Sequence, residues 1–436
     1  MVLTERQKKD LQRAILEYLI SDGGETVFPR TIEAFKTEAQ ISDINDVDKG
    51  ILEKKWTSVV RLQKRVMELE TQLNDLQKQL KSGIATNGIE NDTLKTNATI
   101  GENNRLIPKG PAKASLSGHR GPVTCIATHP IYSLVASGSE DSTIKLWDYE
   151  TNQYDRTLKG HTGTITGVSF STGSTILLAS CSSDMSAKLW DMNTFNCLKT
   201  LRGHDHTLSA IKFLPSNDHI ITCSRDKTIK CWEVSSGFCI RTFNGHSDWV
   251  RCLSISLDGD HIASAGTDQT IIIWKFSNGQ NIQTLRGHEH VIECINFGKK
   301  PITADLSSPV KANKEENNNG KILTNESNNS IDLGYLVSGS RDKTVKLWDA
   351  LRGVCLMTFS SHENWVRGVV INPTGKFIIS CSDDKSIRVF DIKESRCLRT
   401  IADAHGHFIT SISFSQIHPI IVTGSVDKTI NIWTCS

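Results

Sequence analysis

Histidine, aspartate and a hydroxyl residue recur together along this chain, and that trio is the one that builds a nucleophilic hydrolase. The first set is His119, Ser137 and Asp141. Six more follow: His161, Ser180 and Asp184; His204, Thr222 and Asp226; His246, Ser264 and Asp268; His288, Ser338 and Asp342; His362, Ser380 and Asp384; His405, Thr423 and Asp427. A catalytic constellation is needed only once. Seven copies in one register point instead to a repeated structural element, whose polar groups would cost free energy if buried unpaired. The sequence has no G-x-S-x-G elbow and no H-E-x-x-H pair, and Gly320-Lys321 is followed by Ile322 rather than by the Ser or Thr of a phosphate loop. No enzymatic activity and no cofactor are expected. The twelve cysteines contain no C-x-x-C pair, and most lie in apolar runs such as Val123-Thr124-Cys125-Ile126, so they read as reduced core thiols.

The elements that hold these residues follow from their spacing. Trp147, Trp190, Trp232, Trp274, Trp348, Phe390 and Trp433 mark a period of about 42 residues, each lying six positions after one of the aspartates. Only the interval from Trp274 to Trp348 is longer, by 32 residues. Around each aspartate two short β-forming runs flank a polar turn, and Asp can bond its own turn backbone, so every unit contains a hairpin. With glycine-histidine near its start and tryptophan near its end, the unit resembles the WD repeat.

That resemblance implies an all-β fold, a seven-bladed β-propeller over residues 111–436 with four strands to a blade. It also implies that histidine, aspartate, hydroxyl and indole N–H form one hydrogen-bonded chain per blade. Blade six departs, with Ser361 in place of glycine and Phe390 in place of tryptophan; in blade seven both Ala404-His405 and Gly406-His407 offer the histidine. An open ring would expose sheet edges. The run Ala112-Lys113-Ala114-Ser115-Leu116 aligns with the outer strands of other units and is expected to supply the outermost strand of the last blade, because Ser436 comes just after that blade's third strand. The 32-residue excess reads as a disordered insertion at about 299–332, between the first and second strands of blade five and on the face opposite the aspartate turns.

Before the ring, Leu11, Ile15, Tyr18 and Leu19, then Gly23-Gly24, then Ile32 and Phe35 have the spacing of helix, turn and helix over 5–39. This segment resembles the LisH motif, a small α-helical dimerisation element. From 52 to 82 a heptad follows: Leu52, Val59, Val66, Leu73 and Leu80 fall seven apart, with Leu62, Leu69 and Leu76 at the complementary spacing, which predicts a short parallel homodimeric coiled coil. Residues 83–110, rich in Asn, Thr and Gly, read as a flexible linker.

The chain has 436 residues, 38% hydrophobic and 22% charged, with a formal charge of +2. Neither a bulk attraction to nucleic acid nor membrane insertion is expected from that balance, and the charged start MVLTERQKKDLQ is unlike a signal peptide. A cytoplasmic protein is the expectation.

A rigid ring repeats its surface positions, so departures at equivalent points are informative. On the face of the aspartate turns, Arg225, Trp249, Arg251, Arg341, Trp365 and Arg367, with Lys385 close by, concentrate in blades three to six. Trp and Arg are the residues most often found as binding hot spots, and such a patch suits an acidic protein surface. A second reading is that the indoles pack on the rim and the arginines pair with nearby acids. The order of LisH motif, coiled coil, linker and seven blades, with the strings Ser338-Gly339-Ser340-Arg341-Asp342-Lys343-Thr344 and Asn364-Trp365-Val366-Arg367-Gly368, closely resembles the lissencephaly/nuclear-distribution protein family. The resemblance implies a non-catalytic homodimer that regulates cytoplasmic dynein by binding the heavy-chain motor domain, in nuclear migration, spindle positioning and transport. Further implied partners are NudE/Nudel-type coiled-coil proteins, microtubule plus-end proteins and, in animals, acetylhydrolase subunits; the implied location is on microtubules and at the centrosome or spindle pole. The alternative is a WD-repeat scaffold or substrate adaptor outside the motor system.

Overall fold

The structure is a computed structural model that describes residues 106–173, 176–299, 334–415 and 418–435. The expected LisH motif, the coiled coil and the linker up to residue 105 lie outside the described residues, and with them Leu11, Ile15, Tyr18, Leu19, Phe35, Val59, Leu62, Val66, Leu69, Leu73, Leu76 and Leu80; residues 300–333 of the blade-five insertion do too.

Among the described residues, twenty-eight strands form seven antiparallel sheets of four, the seven-bladed propeller that the repeat implies. Blade one shows the pattern: Val123–Thr128, Leu134–Ser139, Ile144–Asp148 and Gln153–Leu158 pair in chain order from the innermost strand outwards. The innermost strands of all seven blades touch their neighbours in a closed circuit. Second strands are almost wholly buried, as in His261–Gly266, because both their faces meet other blades; outermost strands such as Cys239–Asn244 bury one residue in six. The core is therefore made between blades. Leu146 and Leu158 of blade one pack with Ile165, Leu178 and Trp190 of blade two, and the same arrangement recurs round the ring.

Five of the twelve thiols, Cys125, Cys181, Cys223, Cys252 and Cys381, lie buried on first or second strands as expected. Cys197 and Cys239 correct the expectation: they are exposed, because they sit on outermost strands that no further strand covers.

Closure uses more chain than the sequence suggests. Ala114–Ser117 pairs with Thr429–Thr434 as the fourth strand of blade seven, the predicted arrangement with its start two residues later. Upstream, Lys113 N–H donates to Ile432 O at 2.7 Å and Lys109 N–H to Thr434 O at 2.9 Å, Pro108 bridges Cys435, and Ile107 is buried. Arg399 of blade six donates to Pro108 O at 3.0 Å. Equivalent basic residues clasp the next blade elsewhere: Lys199 donates to Val234 O at 3.1 Å, Arg241 to Phe276 O, and Arg156 stacks on Phe195.

Candidate functional site

The His, Asp and hydroxyl trios are found in every blade, and their geometry shows what they do. In blade one His119 Nδ1 lies 2.9 Å from Asp141 Oδ2 and Nε2 lies 2.8 Å from Ser137 Oγ, while Trp147 Nε1–H donates to the same Oγ at 2.8 Å. A neutral ring that donates through Nδ1 to the carboxylate accepts the hydroxyl proton at Nε2. Asp141 also accepts from Arg120 N–H and Thr143 N–H, both at 2.9 Å, which ties the loop before the blade to the turn. The seven hydroxyl residues have no exposed surface, so none can meet a substrate. Blade seven uses His405, with Nε2 at 2.8 Å from Thr423 Oγ1, and so resolves the choice between its two histidines. Blade six lacks the indole donor, as its sequence implies: Phe390 stacks on Phe359 at 4.8 Å between ring centroids.

The candidate partner face sits at the inner rim beside the aspartate turns. Its geometry turns on the second residue of each innermost strand. Thr166 and Thr410 there donate to the carbonyls of Leu208 and Val123 in the neighbouring blade, at 2.7 and 2.6 Å, and Thr124 does the same to Ile165. In blades four, five and six this position holds Arg251, Glu293 and Arg367. Glu293 is the hub. It accepts from Arg251 Nη1 at 3.3 Å, from Arg341 Nε at 2.5 Å, and pairs with Arg367 Nη1 at 3.6 Å. Arg367 Nε also donates to both oxygens of Asp383 at 3.0 Å.

The indoles complete the group. Trp365 lies beneath the guanidiniums of Arg341 and Arg367, 4.2 and 5.0 Å from its ring centroid, and Arg225 covers Trp249 at 4.8 Å. Each indole is set by its own backbone N–H, which donates at 2.8 Å to the preceding Asp248 or Asn364. Burial pulls Arg251 below its ordinary pKa; Glu293 pulls the other way, but Arg341, Arg225 and Arg367 add to the lowering. Arg367 is also pulled down by burial, yet Asp383 and Glu293 together hold it above its ordinary value.

Arg251, Arg341 and Arg367 pair with acids and keep 19 to 27% of their side-chain surface open, while Arg225 stacks on Trp249. Four guanidiniums face two carboxylates, so the group is cationic. Arg225, Trp249, Arg251, Arg341, Trp365 and Arg367 come together as expected; Lys385 lies in the blade-six turn, and no described contact of its side chain joins it to them. Glu293 and Asp383 are the residues that the hot-spot reading missed. For Glu293 the signal was a lone carboxylate among the neutral or basic residues of its repeat position; Asp383 shares its position with Glu140 and carried no such signal.

The WD domain, G-beta repeat, model matches at 110–148, 152–191, 195–233, 237–275, 322–349, 353–391 and 395–434, and a PAC1 LisH domain model matches residues 5–44. The chain is 39% identical to nuclear distribution protein PAC1 of Coccidioides posadasii over 95% of its own length and 86% of that protein's. It is 37% identical to the proteins of the same name in Gibberella zeae and Ajellomyces capsulatus, over 99% of both chains in each case. Seven blades with one shared polar chain, a matching LisH segment and relatives aligned along nearly their whole length place the chain in the nuclear distribution protein PAC1 family of WD-repeat proteins.

Proposed function

We propose that this protein is a non-catalytic regulator of cytoplasmic dynein in nuclear distribution, a homodimer whose propellers grip the motor domain through the arginine and tryptophan face. The observation that carries the reading is that face: three guanidiniums gathered on Glu293, a fourth over Trp249, and Trp365 beneath two of them, cationic in sum and open at one rim. Aromatic and arginine anchors of this kind dominate binding energy, and an excess of positive charge selects an acidic surface. The family membership supplies the pathway. Regulation is then a shift in the motor's conformational equilibrium, set by the ring's different affinity for each state. Pairing through the LisH motif and coiled coil raises the local concentration of the second ring. NudE/Nudel-type coiled-coil proteins are the further partners of this reading, and microtubules its location.

Titration of a purified dynein motor domain tests it. Arg341→Ala with Trp365→Ala is expected to weaken binding by about 2–4 kcal/mol, the loss typical of central anchors. The ring stays folded, because Glu293 keeps Arg251 and Arg367. Unchanged affinity with an intact melting profile would refute the assignment of the face. Affinity capture from extract addresses the adaptor alternative, which prevails if ligase components are enriched and the dynein heavy chain is absent.

A further inference from the structure

Two positions repeat at the inner rim of every blade: the second residue of the innermost strand and the residue before the turn aspartate. In blade five they hold Glu293 and Arg341, in blade six Arg367 and Asp383, and each pair is hydrogen-bonded within its blade. Blade four holds Arg251 and Thr267. Threonine is short and uncharged, so the blade has no acid to meet its arginine. The consequence is visible atom by atom. In blade six the Nε–H of Arg367 donates to both Asp383 oxygens; in blade four the same Nε of Arg251 is buried and has no hydrogen-bond partner, and the buried Oγ1 of Thr267 has none either.

A buried donor left unpaired costs about 1–3 kcal/mol, so both atoms favour an incoming acceptor. Arg251 uses only Nη1, on a Glu293 carboxylate that Arg341 and Arg367 share. The surrounding charge has the sign that draws an anion. Among the innermost strands the charged residues are Lys212, Arg251, Glu293 and Arg367, three cations to one anion, and before the turn aspartates Arg225 and Arg341 are balanced by Asp383 and, in blade one, Glu140, so the excess is cationic.

We propose that blade four carries an oxyanion subsite, in which the Arg251 Nε–H and the Thr267 hydroxyl donate to the oxygens of one carboxylate or phosphate group that stands where Asp383 stands in blade six. An acidic side chain of a partner protein and free inorganic phosphate share this chemistry. The first source rests on the motor-binding reading of the face; the second does not.

The test uses the full chain, labelled with ¹⁵N-arginine, and inorganic phosphate as the probe, with chloride balancing the ionic strength. Phosphate shifts the Arg251 Nε–H resonance saturably, and chloride does not. Thr267→Asp supplies the carboxylate in cis, as Asp383 does, so its Arg251 resonance is already shifted and no longer answers to phosphate. Thr267→Val keeps the shape without the hydroxyl and weakens the phosphate response several-fold. In a second arm, Thr267→Asp loses about tenfold in affinity for the dynein motor domain if the partner's carboxylate enters the subsite. The subsite is overturned if phosphate leaves the Arg251 Nε–H unmoved and both variants bind the motor as the wild type does. Should the wild type fail to bind the motor at all, the reading of the face falls and the phosphate arm alone decides the subsite.

Discussion

In blade six two residues change together, and packing explains why. Elsewhere the glycine before the repeat histidine lies against the tip of the tryptophan: a Cβ built on Gly118 would stand 3.1 Å from Trp147 Cη2, and one on Gly245 would stand 2.8 Å from Trp274 Cη2. Ser361 has that Cβ, and Phe390 is the shorter ring that leaves room for it. Blade seven admits Ala404 beside Trp433 only with a different approach, Asp403 taking φ 48°. Phe390→Trp alone would gain an indole donor for Ser380 yet overfill a fully buried site, and is expected to destabilise by about 1–3 kcal/mol. Adding Ser361→Gly should recover most of that loss, a coupling of at least about 1 kcal/mol in a urea-unfolding double-mutant cycle. Additive losses would mean that the two positions do not share space.

At the scale of the element, the strap of residues 106–117 is what joins the first blade to the last. It buries Ile107 and Leu116 and covers the edge of Thr429–Thr434. Burial of two aliphatic side chains contributes about 3–6 kcal/mol, before the strand hydrogen bonds are counted. A chain that begins at Leu106 is therefore expected to melt as the full-length ring does, whereas one that begins at Gly118 should melt well below it. Calorimetry of the two truncations checks this, and equal melting would show that the ring closes without its strap.

Across the whole molecule the seven polar chains act in parallel on pH stability. Burial pushes Asp141, Asp184, Asp226, Asp268, Asp342, Asp384 and Asp427 up, but the hydroxyl, imidazole and backbone donors outweigh it and hold each carboxyl below the ordinary 3.8. Burial also holds His119, His161 and His405 below 6.5. Both groups bind fewer protons folded than unfolded, so both lose stability as pH falls. The histidines act first, from about pH 6.5 downwards, and the aspartates add a steeper loss below about pH 4. Melting temperature measured from pH 7.5 to 3 should therefore decline throughout, and His405→Gln should flatten the upper part of the curve. The proposed dimer is tested at the same scale: deletion of residues 1–82 is expected to give a monomer by light scattering, with motor binding weakened about 10²-fold through lost avidity. A deletion that stays dimeric would place the contact in the propeller.

The sequence by itself determined the seven blades, because a period of about 42 residues with Gly-His, Asp and Trp in one register leaves few other ways to bury those polar groups together. It also located Arg225, Trp249, Arg251, Arg341, Trp365 and Arg367 on one rim, since equivalent positions in equivalent blades must lie on the same face. Arg251 and Arg367 meet Glu293 across blades, Arg251 from 42 residues away, while Arg341 meets it within blade five across the 48 residues that the insertion lengthens, and no local pattern encodes those partners. Only the folded ring decided that Glu293 gathers three guanidiniums, that Arg367 has its own Asp383 while the matching atom of Arg251 has no acceptor, and that Lys385 makes no described contact with the group. Repetition is one-dimensional information and survives in the chain; side-chain pairing across blades is set by distance, which exists only once the ring has closed.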